Sequence, residues 1–416
     1  MRYRDFDLKL EGGAGRGYTV EVIGSPVGLR SAAAPLVLSA SAIPAPSGAG
    51  GGWSVSPPDP RAAGEALFAS LFPAPVRSLW ERSEQSLEDG DALRLRLDVR
   101  APELAALPWE SIHDGSYHLA LSPRRPVARF SFDRPEVSPA ESRGPLDFLL
   151  AASTPCDAPA LPAADEELEL TRASLAELQA AGKVGRVEVV RHASLRRLQR
   201  ELLRPFHVLH YVGHGEFSGG EGRLVLEDDA GRARRVSAET LGYFFRDTPL
   251  RLLFLNACRT ASPADGSAPL GVAQAALAAG VPAVVAMQDV VRDDLAARFA
   301  REFYQALAEG HPLETCVAEG RKALLPDASP GRADWAIPVL FSNAREGLLW
   351  KPPESGREAA AAAPAAGDDA TRARPAAHGP QFHGTVNAKQ MIVGDGNLNV
   401  GYFGHDGGDD AGGRKK

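Results

Sequence analysis

The chain has 416 residues, room for two or three domains. Apolar residues make up 44% and charged residues 24%, with a net charge of −7. That balance supports a large buried core and excludes nucleic acid as the main partner, because phosphate binding needs a concentrated positive field. The cluster Arg232, Arg234 and Arg235 reads as solvated charge on a hairpin. No run approaches the ~20 apolar residues of a membrane helix, so no membrane partner is expected. The opening MRYRDFDLKLEGG lacks an apolar secretory segment, which places the chain in the cytoplasm. Cys156, Cys258 and Cys316 are odd in number and widely spaced. They fit neither a disulfide framework nor a metal site, and no metal is expected.

In chain order, residues 1–60 form a β-rich segment in which FDLKL, YTVEVIG and PLVLSAS are short strands divided by Gly and Pro. Residues 61–144 form a second lobe. It opens with a helix over Arg61 to Phe72, and LRLRLDV (Leu93 to Val99) alternates with period two as a half-buried strand. The pattern changes at Pro145. Over 145–351, LDFLLAAS, VEVVR, FHVLHYV, RLLFLNA, PAVVAM and WAIPVLFS are apolar strands, and helices separate most of them. Gly182 stands where the first of these helices stops. Arg223 to Arg235 reads as a hairpin insertion. The fold class is therefore α/β, a mainly parallel sheet covered by helices on both faces. Residues 352–377 are Ala/Pro-rich and read as a disordered linker; residues 378–416 form a polar, Gly- and Asn-rich tail.

Chemistry concentrates at two strand ends. His214 follows FHVLHYV inside Gly213-His214-Gly215, and Cys258 follows RLLFLNA, 44 residues later. Ligands in open α/β sheets sit beyond the carboxyl ends of the strands. Both side chains then emerge at one rim: a thiolate nucleophile and an imidazole that moves its protons. Gly215 and Cys258 could offer backbone N–H groups as an oxyanion hole. Taken singly, a Cys at a strand end is an inert buried thiol and a His-Gly is a turn; the joint placement is what points to catalysis. His207 and His210 alternate before His214 and read as sheet-face residues, Cys156 and Cys316 as packing residues, and Trp109 and Trp335 as core aromatics.

The blocks FHVLHYVGHGEF, RLLFLNACRTA and GVAQAALAAGVPAVVAMQ resemble a CHAT domain, a branch of the caspase-like cysteine proteases related to separases. The segment LRLRLDVRAPELAALPWESIHDGSYHLAL is similar to the non-catalytic, pseudo-caspase lobe of such domains, so the resemblance covers most of 61–350. The caspase pattern places a histidine about 50 residues before Gln-Ala-Cys-[Arg/Gln/Gly]-Gly; here Asn256-Ala257-Cys258-Arg259-Thr260 departs at Gln and Gly. The resemblance implies hydrolysis of a protein or peptide substrate by a His214–Cys258 dyad, without metal or organic cofactor. It also implies activity held off until a partner or assembly event rearranges the site. The loop from Thr260 to Pro269 is a candidate mobile element. Relatives hold a basic side chain with an acidic residue. Asp157 and Asp289 are the candidates for that role, and a solvated loop carboxylate is the plainer reading of each.

In the tail, Ile392-Val393-Gly394-Asp395-Gly396-Asn397 resembles prokaryotic amyloid signalling motifs related to the RHIM-like motif of necroptosis kinases. Ile392, Val393, Gly394 and Asn397 carry that resemblance, which implies homotypic assembly or a sensor protein with a matching motif. The plainer reading is a loose tail or a single hairpin. Three functions then compete: a regulated cysteine endopeptidase in bacterial defence or cell death; a silent scaffold that assembles through the tail; and an α/β hydrolase. The last would want Gly two residues before the nucleophile, where Asn256 stands.

Overall fold

The computed structural model describes residues 1–13, 15, 17–28, 32–38, 46–47, 52–53, 59–141, 144–218, 221–259, 268–289, 291–327, 333–351, 393–394 and 397–398. The chain opens with strands β1 (Arg2–Gly13), β2 (Gly17–Gly24) and β3 (Ala33–Leu36), then the short pair β4 (Pro46–Ser47) and β5 (Gly52–Trp53). Helices α1 (Pro60–Leu71) and α2 (Ala74–Gln85), strand β6 (Asp91–Val99), helix α3 (Pro102–Ala105) and strand β7 (Val127–Arg129) follow. The next stretch is β8 (Leu146–Ala152), α4 (Ala164–Ala180), β9 (Val184–Val190), α5 (Leu195–Leu202), β10 (Val208–Ser218), β11 (Glu221–Glu227), β12 (Ala233–Ser237) and α6 (Ala238–Phe245). After it come β13 (Leu252–Arg259), α7 (Ala268–Ala278), β14 (Ala283–Met287), α8 (Asp293–Ala308), α9 (Leu313–Leu324) and β15 (Pro338–Ser342). A separate unit holds β16 (Val393–Gly394) and β17 (Asn397–Leu398), an antiparallel pair in the register Val393↔Leu398 and Gly394↔Asn397.

Thirteen strands share one sheet, and it has two halves. In the first, β9, β8, β10, β13 and β14 all run parallel, as the helix between each pair requires. β15 then reverses, pairing antiparallel with β14, and β7, β6 and β1 run parallel to β15. β2 and β3 close that edge antiparallel. β1 lies beside β6 from Arg2↔Asp91 to Leu10↔Val99, so the opening strands share a sheet and a core with the 61–144 lobe.

Period-two alternation sorts the side chains of the parallel half. Phe148, Leu150, Val208, Val212, Leu252, Phe254 and Val285 pack with α4, α8 and α9. Leu149, Leu209, Tyr211, Leu253, Leu255 and Val284 pack with α5, α6 and α7 on the other face. Each fully buried Leu or Phe contributes roughly 1.5–3 kcal/mol. Local signals set the helix ends. Ser194 and Ser237 accept N–H bonds at the starts of α5 and α6, and Gly182 takes φ +72 just beyond α4.

β6 departs from the half-buried strand its alternation suggests. Leu93, Leu95 and Leu97 join a core with α1 and α2, but Arg94 and Arg96 on the other face are buried as well. Arg94 reaches Asp5 and, across to α9, Glu314, each at 2.6 Å. Arg96 grips Asp7 with two bonds of 2.7 and 2.8 Å and also meets Glu136. A further buried junction joins the halves: Arg129 holds Glu110 through two 2.8 Å bonds, and Gln288 donates to Glu110 at 3.1 Å. Trp109 and Trp335 are core residues, as their sequence context suggests.

Candidate active site

β10 and β13 are direct parallel neighbours, and in their register His214 stands opposite Cys258. Neighbouring strands lie about 4.8 Å apart, so the two backbones deliver both residues to one place on the rim. The position of His214 has a structural cause. β10 pairs with β8 along Val208 to Val212, and from His214 onward the same edge pairs antiparallel with β11. The strand therefore does not stop in a Gly-His-Gly turn, as its sequence suggests, but runs through to Ser218. Gly215 lies inside it, in register with Leu224 and Arg259. Gly213 must be glycine here: the ring of Tyr211 folds over it to donate to the Val225 carbonyl at 2.9 Å, and a Cβ would lie 2.3 Å from the Tyr211 hydroxyl.

His214 is 1% exposed. Its Nε2 lies 2.8 Å from the carbonyl oxygen of Pro159. A carbonyl can only accept, so Nε2 is the nitrogen that carries hydrogen. Nδ1 is buried and has no hydrogen-bond partner among the described residues. The loop that supplies Pro159 follows β8 and is tied to the β11–β12 hairpin. Ser153 donates to the Val225 carbonyl, Thr154 N–H to Glu227, and Cys156 N–H to the Gly231 carbonyl, each at 2.9 Å. Asp157 is part of this tie: it is exposed and accepts the Ala233 N–H at 2.6 Å. Asp289 follows β14, the strand beside β13, and so stands on the same rim as Cys258. Cys156, expected to pack, is exposed because the loop lies outside the core, whereas Cys316 is buried and its thiol pushed well up by burial.

A cleft of ≈ 320 Å³ opens between the starts of α4 and α8, lined by Ala163, Glu166, Glu167, Leu170, Arg292 and Asp294. Another, of ≈ 230 Å³, lies among Asp133, Arg134 and Gln274 and holds neither cysteine nor histidine. Below the first cleft is a polar group that sequence reasoning missed. Glu167 is buried against Asn256, and His210 meets Tyr304 at 2.8 Å while its ring stacks on Phe254. Burial and the Glu167 charge push the Tyr304 hydroxyl well up. A signal for Glu167 existed: it shares the helical stripe of Ala164, Leu168, Thr171, Leu175 and Leu178. Pro159 acts through its carbonyl, which no side-chain pattern announces.

Among the described residues, no three or more His, Cys, Asp or Glu side chains could together hold a metal ion, and no helix is long and apolar enough to cross a membrane. Residues 260–267 of the Thr260–Pro269 loop, and Ile392, lie outside the described residues. Val393, Gly394 and Asn397 fall in the β16–β17 pair.

No curated protein matches the chain. Among solved structures it is similar to Saccharomyces cerevisiae separase in complex with securin, at 13% identity and a TM-score of 0.39, over 67% of this chain and 17% of that one. The chain thus spans about one sixth of the length of that separase chain. It is also similar to the Arg-specific cysteine proteinase gingipain R, at 14% identity and a TM-score of 0.44, over 68% of this chain and 70% of that one. A complex of Porphyromonas gingivalis gingipain pro- and mature domains matches at 13% identity and a TM-score of 0.42, over 68% and 71% of the two chains. The family profile of the CHAT domain matches residues 61–343, from α1 through β15, and the chain belongs to the CHAT-domain family.

Proposed function

We propose that the protein is a cysteine endopeptidase that cuts a protein or peptide substrate with a His214–Cys258 dyad. The observation that carries this reading is the register of His214 against Cys258, with Nε2 of the imidazole held by Pro159 and Nδ1 without a partner among the described residues. In this mechanism Nδ1 takes the thiol proton and the thiolate attacks the scissile carbonyl. The Pro159 carbonyl keeps the ring oriented and stabilises the imidazolium. His214 then returns the proton to the leaving amine, and a water freed of its proton by the same nitrogen hydrolyses the acyl-enzyme. The N–H groups of Gly215 and Cys258 are the candidate oxyanion donors. Gly215 lies within a strand, so its N–H must be free of ladder bonding when substrate binds. Asp289, on the rim, and Asp157, in the loop that holds His214, are the candidate specificity residues. With the tail motif Ile392, Val393, Gly394 and Asn397 as an assembly element, the enzyme is a bacterial defence or cell-death effector, brought into action when that motif joins a sensor carrying a matching one.

The burial of His214 favours a second reading, a latent enzyme or a silent scaffold that keeps the fold and assembles through its tail. One experiment separates them. The purified chain and its Cys258→Ala variant are incubated with a proteome-derived peptide library, with and without preformed fibres of residues 378–416. Cleavage by the wild type that Cys258→Ala abolishes supports the protease, and dependence on fibres supports the tail as trigger. No cleavage in either arm moves the reading to the scaffold.

A further inference from the structure

The mechanism above leaves unused the polar groups one pleat beneath the dyad. Glu167, in the first turn of α4, is 1% exposed. Both its carboxylate oxygens lie 2.7 Å from Nδ2 of Asn256, itself buried. Nε2 of His210 stands 3.7 Å from the same carboxylate, and Nδ1 of His210 meets the Tyr304 hydroxyl. Residues from α4, β10, β13 and α8 thus converge inside a face otherwise filled by Leu168, Val212 and Phe254. A carboxylate is costly to bury, and a hydrogen bond to a charged group is stronger and more directional than apolar packing.

The register gives the cluster its meaning. Asn256 lies two residues before Cys258 on β13 and pairs with Val212, two residues before His214 on β10. A clamp on Asn256 therefore acts on the strand end that carries the nucleophile. Its other end is in α4, whose Glu166 and Glu167 also line the cleft, with Arg292 and Asp294 across it.

We infer that Glu167 is a positioning residue for Cys258: by holding the Asn256 amide it fixes the end of β13 and so the backbone of Cys258 in register with His214. The inference rests on the cysteine-protease reading. The test uses the full chain in a Cys156→Ala background, which removes the exposed thiol, and reads two quantities per folded molecule. One is the alkylation rate of Cys258 by iodoacetamide as a function of pH; the other is kcat and KM on a cleaved peptide. E167A and N256A are expected to lower both the alkylation rate and kcat by about 10- to 100-fold with KM within about 2-fold, the scale of a displaced reacting group. N256D sets two carboxylates face to face and should fall further. E167Q/N256D reverses donor and acceptor and should recover about tenfold or more over N256D, a rescue that loss of packing would not produce. Thermal melts correct each rate for the folded fraction. Unchanged alkylation per folded molecule in both E167A and N256A, or a swap no better than N256D, overturns the inference. A wild type whose Cys258 alkylates rapidly but which cleaves no peptide counts against the protease reading, and the clamp is then judged on alkylation alone.

Discussion

The two halves of the sheet bury charge in opposite ways. In the β7–β6–β1 half, three buried guanidinium groups are closed by carboxylates: Arg94 by Asp5 and Glu314, Arg96 by Asp7 and Glu136, Arg129 by Glu110. In the parallel half, buried polar atoms stand open. Among the described residues, Nδ1 of His214, Nε2 of His210 and the Thr171 hydroxyl have no hydrogen-bond partner. The β7–β6–β1 side has open atoms too, on Glu84, Arg134, Glu314, Arg321 and Asn343, but the Glu314 carboxylate already holds Arg94 and that of Glu84 faces Arg125. Saturated networks fix a fold, whereas an open buried polar group is tolerated where chemistry uses it. On the proposed protease reading, those three ion-pair networks serve stability and the open imidazole of His214 serves reactivity.

The sharpest test of that division is to remove one group from each half. His214→Ala should lower kcat/KM by about 10⁴-fold or more, the scale seen when a member of a nucleophile–base unit is lost, while urea unfolding shifts little. Arg94→Ala should do the reverse. It leaves the Glu314 carboxylate buried without its cation, an unpaired-charge defect of about 3–5 kcal/mol. Activity per folded molecule should be unchanged. If Arg94→Ala lowers activity of the folded protein as far as it lowers stability, the halves are not separable and the division fails.

How much of this could be read in advance follows the range of the interactions. His214 and Cys258 were legible because each ends an apolar run, and runs, helix periods and caps such as Ser194 are local signals. The burial of Arg94 and Arg96 was not, because their partners lie 89 and 220 residues away; alternation alone assigns such a face to solvent. The reversal at β15 and the continuation of β10 past Gly215 depend on which strand docks alongside, again a long-range choice. Glu167 sat in an acidic run, AADEELEL, where composition hid what helical phase disclosed. The family resemblance singled out His214 and Cys258, but not the carbonyl of Pro159 against which the His214 ring lies.

A subtler test uses pH at the junction between the halves. Burial opposes ionisation of Glu110, but Arg129 and Arg321 together with a backbone bond outweigh it and hold the carboxyl below its ordinary value of 4.5. The unfolded chain then binds more protons in the interval beneath 4.5, so this group's contribution is full above 4.5 and is lost as pH falls through the folded value. Asp7 has the opposite sign, since burial raises its carboxyl despite Arg96. Total acid stability therefore mixes the two, and only a difference isolates Glu110. Unfolding midpoints of wild type and Glu110→Gln, measured from neutral pH down into this range, should converge as acid is added, because the wild type loses there what the variant never had. Parallel midpoints would mean that Glu110 is held by packing and not by its charge, and the junction would no longer belong with the ion pairs of the β7–β6–β1 half.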